Sequence, residues 1–291
     1  MDMVAMEYKR DDKLKKEDVN MLQVWLKSQP HLPEMTEQEI IWFLKSCYYS
    51  NEAAKSTIDK FFTMKTLCPE ILRNKDLKQK GLQETINTIL YIVLPTEGYA
   101  LGIARLMDVN AEKFNFHEAC RLSDMVMMLD MFKTGTKDGI RCCIDMQGAT
   151  FGHVARVGII SLKKFVFYFQ DALPIRLKSL HFFNSTPVLD TVLTMIKPFL
   201  KKEIAEMLYV HKTVKDMQNF VPLECFPSDY GGKATSLAEL HEKMKKDVME
   251  NGEFFAHLDS QLVDEKKRPG KPKNEMDIFG TDGTFKKLDI D

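Results

Sequence analysis

The stretch from Leu180 to His211, LHFFNSTPVLDTVLTMIKPFLKKEIAEMLYVH, constrains the fold more than any other. It holds a short apolar strand, an Asn-Ser-Thr-Pro corner, an amphipathic helix broken by Pro198, a short second helix and another strand. Strand, helix, strand implies a crossover, and crossovers build largely parallel sheets covered by helices. In the corner, Pro187 suits the first helical position and Ser185 or Thr186 can cap the exposed amides. Val188, Leu189, Val192, Leu193, Ile196, Phe199 and Leu200 recur at three and four, so one helical face is apolar. Asp190, Thr191, Thr194 and Lys197 make the other. Pro198 lacks a backbone donor and clashes with the preceding turn, which predicts a kink near Lys197. Such an element serves as a lid over a cavity or as an ordinary crossover helix, and periodicity alone favours the second.

The 291 residues suffice for one large domain or two moderate ones. Forty-one basic residues against 42 acidic ones leave a net charge of −1, which argues against bulk electrostatic binding of nucleic acid. The N-terminus has no apolar core of a signal peptide, and the runs Gly158–Leu162 and Phe165–Phe169 are too short to span a bilayer. The expectation is a cytoplasmic protein whose six cysteines stay reduced. The 18 methionines, with Met125, Met127, Met128 and Met131 clustered, suit core filling or an adaptable wall.

Residues 11–72 read as an N-terminal helical bundle. Leu14, Leu22, Trp25 and Leu26 form a stripe, Thr36 and Glu39 a capping box, and Ala54, Ile58, Phe61 and Phe62 a third helix. A polar stretch, Arg73–Gln83, reads as a connector. From 84 to 235 strands alternate with helices: Thr88–Leu94, Tyr99–Met107, a helical region Asn110–Phe132, strand Ile140–Asp145, helix Gly152–Leu173, strand Ile175–Phe183 and strand Leu208–His211. From 236 to 291 come a helix carrying Leu237, Leu240, Met244 and Val248, then a polar tail from Glu265 that reads as an arm or a partly disordered end.

Reactive constellations are missing from the sequence. Gly231-Gly232-Lys233 fails as a phosphate loop, and GxGxxG, GxSxG, HExxH and CxxC do not occur. Cys142 and Cys143 are adjacent on a strand and point to opposite faces. His181 suits a hydrogen-bonded core position better than a ligand contact. Catalysis, a cofactor and a metal site are therefore not expected. Arg176, Lys178, Lys197, Lys201 and Lys202 flank the helix of the opening stretch and offer a basic rim for anionic lipid.

Taken together, FLK (Phe43–Lys45), CPEI (Cys68–Ile71), GIRCCIDMQGATFGH (Gly139–His153), LHFFNSTPVLDTVLTMIKPFL (Leu180–Leu200) and FPSDYGG (Phe226–Gly232) resemble the CRAL-TRIO lipid-binding family. Within it they resemble the branch of alpha-tocopherol transfer protein and cellular retinaldehyde-binding protein, and the tail looks like that of insect members. The resemblance implies an α/β domain behind the helical bundle, its mixed, largely parallel sheet flooring a lipid cavity closed by a mobile helix, Val188–Leu200. It implies wall positions Ile140, Ile144, Phe165, Tyr168, Phe169, Leu173, Leu177 and Leu180, with Leu189, Val192, Met195 and Ile196 on the gate. It further implies an intracellular carrier that transfers one small hydrophobic lipid, of the tocopherol, retinoid or carotenoid class, to membranes. Arg176 and Lys178 match basic positions used for phosphoinositides. Cys47, Glu203 and Met207 replace basic residues there, leaving Lys197, Lys201 and Lys202 to supply that charge. The alternative is a lipid-regulated signalling or protein-interaction adaptor with a vestigial cavity. Ser123, Tyr168 and His181 are the polar cavity candidates, and the sequence leaves their facing open.

Overall fold

The computed structural model describes residues 2–279. Helices α1 (Met3–Arg10), α2 (Lys16–Lys27), α3 (Glu37–Ser46), α4 (Asn51–Leu67) and α5 (Pro69–Leu72) build the N-terminal part. The capping box forms at α3, where the Thr36 hydroxyl accepts the Glu39 amide and Glu39 accepts the Thr36 amide at 2.7 Å. Helix α4 buries Ala54, Ile58, Phe61 and Phe62, the expected stripe. Helix α6 (Lys80–Thr88) starts inside the stretch read as a connector. Its Leu82 and Ile86, one turn apart, are buried and hold that polar segment helical.

Five strands form one sheet among the described residues, in the order β1-β2-β3-β4-β5. Strands β1 (Ile89–Pro95) and β2 (Ala100–Leu106) pair antiparallel. Strands β3 (Ile140–Asp145), β4 (Leu177–Phe183) and β5 (Leu208–Val210) then add in parallel. Helix α7 (Phe116–Thr134) connects β2 to β3, α8 (Phe151–Val154) and α9 (Ile159–Asp171) connect β3 to β4, and α10 (Leu189–Ile196) and α11 (Lys202–Glu206) connect β4 to β5. The single helix expected over Gly152–Leu173 is two: Gly158 has extended backbone and restarts the chain as the N-cap of α9. Pro198 has its expected effect, because α10 ends in a 3₁₀ turn at Lys197–Phe199.

Helices α12 (Leu237–Met249), α13 (Gly252–Ser260) and α14 (Glu275–Phe279) complete the fold. The tail departs from the sequence expectation as far as Phe279. Arg268 donates to Asp59 at 2.6 Å and to Thr63 at 2.9 Å, Lys273 pairs with Asp59, and Lys164 pairs with Glu275 at 2.9 Å. These charge pairs, and Phe279 packed edge-on to Phe167, fix a segment whose composition is that of a loose end. Residues 280–291, the rest of the expected arm, lie outside the described residues.

His181 is fully buried, with Nδ1 2.9 Å from His211 Nε2 and Nε2 2.7 Å from Ser179 Oγ. Burial first, then the charges of His211 and Arg141, push its pKa down to about 4. The unfolded chain takes up this proton below about pH 6.5, whereas the folded one resists until about pH 4. Stability therefore falls as pH drops through that window, by up to about 1.4 kcal/mol per pH unit for one group. Denaturation midpoints measured from pH 7 to pH 4.5 should show this slope, and His181→Asn should flatten it. Arg268→Ala should lower unfolding stability by about 2–3 kcal/mol in urea. A change below about 0.5 kcal/mol would place the tail outside the cooperative unit.

Candidate functional site

Side chains alternate across a strand, so every second residue of the sheet faces α7, α9 and α10. In register these are Val93, Gly102, Cys142 and Leu180 in one row, and Tyr91, Ala104, Ile144 and Phe182 in the next. Gly102 and Ala104 put the smallest side chains at the middle of this floor, and a cavity of about 340 Å³ opens above it. A Cβ on Gly102 would already stand 3.2 Å from Ile140 Cδ1. The walls are Ser123, Val126 and Met127 of α7, Leu162, Phe165, Val166, Phe169 and Gln170 of α9, and Val192, Met195 and Ile196 of α10. Ala149, His153, Val154 and Val157 close one end, and Leu200 and Ile204, beyond α10, also line the space. The volume falls in the range of about 300–1,000 Å³ common to small-molecule sites.

Few polar groups reach this space. Asp145 and Arg105 pair with each other at the end of β3 and β2, and Asp145 also accepts the Tyr230 hydroxyl at 2.6 Å and Asn184 Nδ2 at 2.9 Å. Ser123 lines the α7 wall. Burial pushes the Cys142 thiol up to about 12, so it stays protonated and poorly nucleophilic at neutral pH. Among the described residues no group of three or more His, Cys, Asp or Glu could hold a metal ion, and no helix is long and apolar enough to cross a membrane.

Of the wall positions implied by resemblance, Ile140, Ile144, Phe165, Phe169, Leu180, Val192, Met195 and Ile196 line the cavity. Tyr168, Leu173, Leu177 and Leu189 are not among the lining residues. Tyr168 lies on the far side of α9, against Phe61 of α4, and its hydroxyl donates to buried Asp124. Leu173 is buried in the main core beyond the end of α9. Leu177 sits half-buried at the start of β4. Leu189 is spent on seating α10 upon Leu180 and Phe182 of the sheet. Of the polar candidates Ser123 faces the cavity, while His181 is on the opposite face of β4 among Tyr209, His211 and Phe220.

Cys142, Phe182, Leu162 and Val166 were legible but overlooked. The first two follow from Ile140, Ile144 and Leu180 by the strand period of two, and the others precede Phe165 and Phe169 by three on α9. Gly102, Ala104 and His153 carried no such signal.

The basic residues divide. Arg176 lies over the Tyr48 ring at 4.2 Å and donates to the Lys45 carbonyl at 2.6 Å, so its guanidinium braces the N-terminal part. Lys178, Lys197, Lys201 and Lys202 are exposed, with Lys201 paired to Asp171 and Lys202 3.9 Å from Glu206.

Comparison with known proteins matches residues 95–232 to the CRAL/TRIO domain and residues 11–82 to the Pinta-like UBA domain. The chain is 23% identical over 217 residues to "Alpha-tocopherol transfer protein-like" of Mus musculus, covering 72% of this chain and 63% of that one. It is 21% identical over 198 residues to "Clavesin-1" of Xenopus laevis, covering 66% and 60%. The match thus spans a little under two thirds of these relatives' length. The crystal structure of Sfh5 is similar at a TM-score of 0.47 and 16% identity, over 70% of this chain and 74% of that one.

Ala104→Phe should place a ring in the middle of the cavity and abolish binding of an apolar fluorescent dye, with the far-ultraviolet dichroism spectrum unchanged. Undiminished dye binding would mean that the cavity is not the dye's site.

Proposed function

The chain belongs to the CRAL-TRIO family, and from that premise we propose that it is an intracellular carrier of one small hydrophobic lipid. The observation that carries this reading is the apolar cavity between sheet and helices, with Arg105 and Asp145 already satisfied by each other. In this reading burial and release are the work, not turnover. A ligand hiding roughly 400 Å² of apolar surface gains on the order of 10 kcal/mol at about 25 cal/mol per Å². Loss of ligand freedom offsets much of that, which leaves micromolar to nanomolar affinity. The relatives' names point to the tocopherol class, and the volume and apolar lining suit a tocopherol, retinoid or carotenoid end group alike.

In this reading α10 is the gate. Its Val188, Leu189 and Leu193 pack with Met146, Leu180 and Phe182 in an apolar cluster separate from the main core. An element held by a small cluster of its own opens at lower cost than one knitted into the core. Its far end is latched: Gln170 Nε2 donates to the Phe199 carbonyl at 3.0 Å, and Gln170 Oε1 accepts the Lys201 amide at 3.0 Å. Docking at a membrane would use exposed Lys197 and Lys202 for anionic headgroups. Exposed Phe151, Ile159 and Ile160 on the α8–α9 corner supply apolar anchors.

Val192→Asp places a charge on the cavity wall and should abolish lipid uptake while the fold persists. Organic extraction of purified wild-type protein followed by mass determination should yield one co-purifying lipid that the variant lacks. A stable protein that never carries or takes up lipid would favour the adaptor instead. Lys197→Glu with Lys202→Glu should slow transfer to vesicles containing phosphatidylserine more than to neutral phosphatidylcholine vesicles. Equal slowing on both would remove the electrostatic part of the docking argument.

A further inference from the structure

His153 has a polar atom that no described residue uses. It is among the residues lining the cavity, is 5% exposed, and its Nε2, itself sealed from solvent, has no hydrogen-bond partner among the described residues. Its Nδ1 accepts the backbone N–H of Thr150 at 3.1 Å, with the Thr150 hydroxyl 3.0 Å away. An imidazole nitrogen that accepts an amide proton carries none itself, so in the neutral ring the proton sits on Nε2. Burial, then the Arg156 charge, holds the His153 pKa below its ordinary value and keeps the ring neutral at physiological pH. The result is a buried, oriented N–H donor without an acceptor. An unmet donor of this kind costs about 1–3 kcal/mol of desolvation.

The other polar groups at the cavity are employed or, like the hydroxyls of Ser123 and Tyr91, can accept as well as donate. Arg105 and Asp145 satisfy each other, and Gln170 spends both ends on the segment after α10. Ser123 has a hydroxyl that adapts to either role. His153 alone among these imposes a one-way requirement. Phe114, also a lining residue, packs edge to face on the imidazole with ring centroids 5.5 Å apart.

We propose that His153 Nε2–H selects the cargo by donating to one neutral oxygen, so that the lipid held here is an alcohol or carbonyl compound and not a bare hydrocarbon. The inference rests on the carrier reading and narrows it. The acceptor oxygen sits at the His153 end, Phe114 tips aside to admit it, and the apolar body lies over Gly102 and Ala104. Orientation follows from the same contact, because one polar end and one polar anchor leave a single favourable direction of insertion.

Matched probes test it on the full chain: all-trans-retinol against its hydrocarbon analogue axerophthene, and 1-hexadecanol against hexadecane. Wild type should bind the alcohol of at least one pair about threefold to tenfold tighter than the hydrocarbon. His153→Phe should erase that preference, the ratio of alcohol to hydrocarbon affinity falling to about one. In wild type, the Nε2-bound proton of His153, followed by ¹⁵N NMR, should slow in exchange and shift downfield with the alcohol but not with the hydrocarbon. This readout needs no variant to fold. Binding without preference, or a preference that survives His153→Phe, overturns the assignment and leaves the carrier reading standing. Failure of all four probes to bind overturns the carrier reading, and this inference falls with it.

Discussion

Asp145 is the junction on which the cavity end of the fold depends. Its buried carboxylate takes Arg105 from β2, the Tyr230 hydroxyl from the segment crossing the opposite face, the Gln147 amide at 2.9 Å and Asn184 Nδ2 from the corner before α10. A buried carboxylate left without such partners costs several kcal/mol, so all four elements are held to one geometry. Asn184 has a left-handed backbone, φ 51°, a conformation asparagine tolerates better than most residues. The side chain that reaches Asp145 and the backbone that turns the chain toward α10 therefore belong to the same residue. The corner before α10 is anchored by charge chemistry, while the helix itself is seated by a few apolar contacts and the chain after it by Gln170.

A cavity in a protein interior is unusual, because voids forfeit dispersion contacts that packed side chains would make. This one persists for reasons visible in the floor and walls. Glycine and alanine occupy the central sheet positions, and the large side chains of α7 and α9 cannot descend to them without breaking the helix packing. Phe165 and Phe116 lie 6.3 Å apart edge to face, and Phe165 and Phe169 are 6.5 Å apart, so the aromatic wall braces itself. Flexible Met127 and Met195 on facing walls allow the space to adjust to the shape of what enters.

Much of the fold was legible because strong periodic patterns survive tertiary context. The capping box at Thr36, the strand of alternating residues at Ile140–Asp145 and the break at Pro198 all form where the pattern put them. The division of Gly152–Leu173 was less legible, since Gly158 looks like one weak helical residue until its extended backbone is seen. The tail to Phe279 was illegible for a different reason: its order comes from Asp59, Thr63 and Lys164, more than a hundred residues away. At the site, the residues named by resemblance lie on or beside elements that line the cavity, but not all of them face it. Tyr168 and Leu189 sit on lining helices yet spend themselves on Asp124 and on the sheet, and only packing decides that. His153 was invisible for the opposite reason, because what distinguishes it is a partner it lacks.

Helix α9 joins these parts into one mechanical unit. On one side Tyr168 meets Phe61 and Asp124, and Lys164 meets Glu70 and Glu275, which ties the helix to α4, α5 and the returning tail. On the other side Leu162, Phe165, Val166 and Phe169 form the cavity wall. At its C-terminal end Gln170 latches the chain after α10, while Asp171 pairs with Lys201 and lies 3.5 Å from Lys60 of α4. The residues that hold the chain after α10 are thus fixed to the N-terminal helices and not to the apolar cluster under α10. A disturbance at α4 reaches Lys201 through a single carboxylate, whereas one at the sheet must first disrupt Leu180 and Phe182. The N-terminal part is on these grounds more than a neighbour of the cavity: it sets the position of the α9 surface on which the segment after α10 rests.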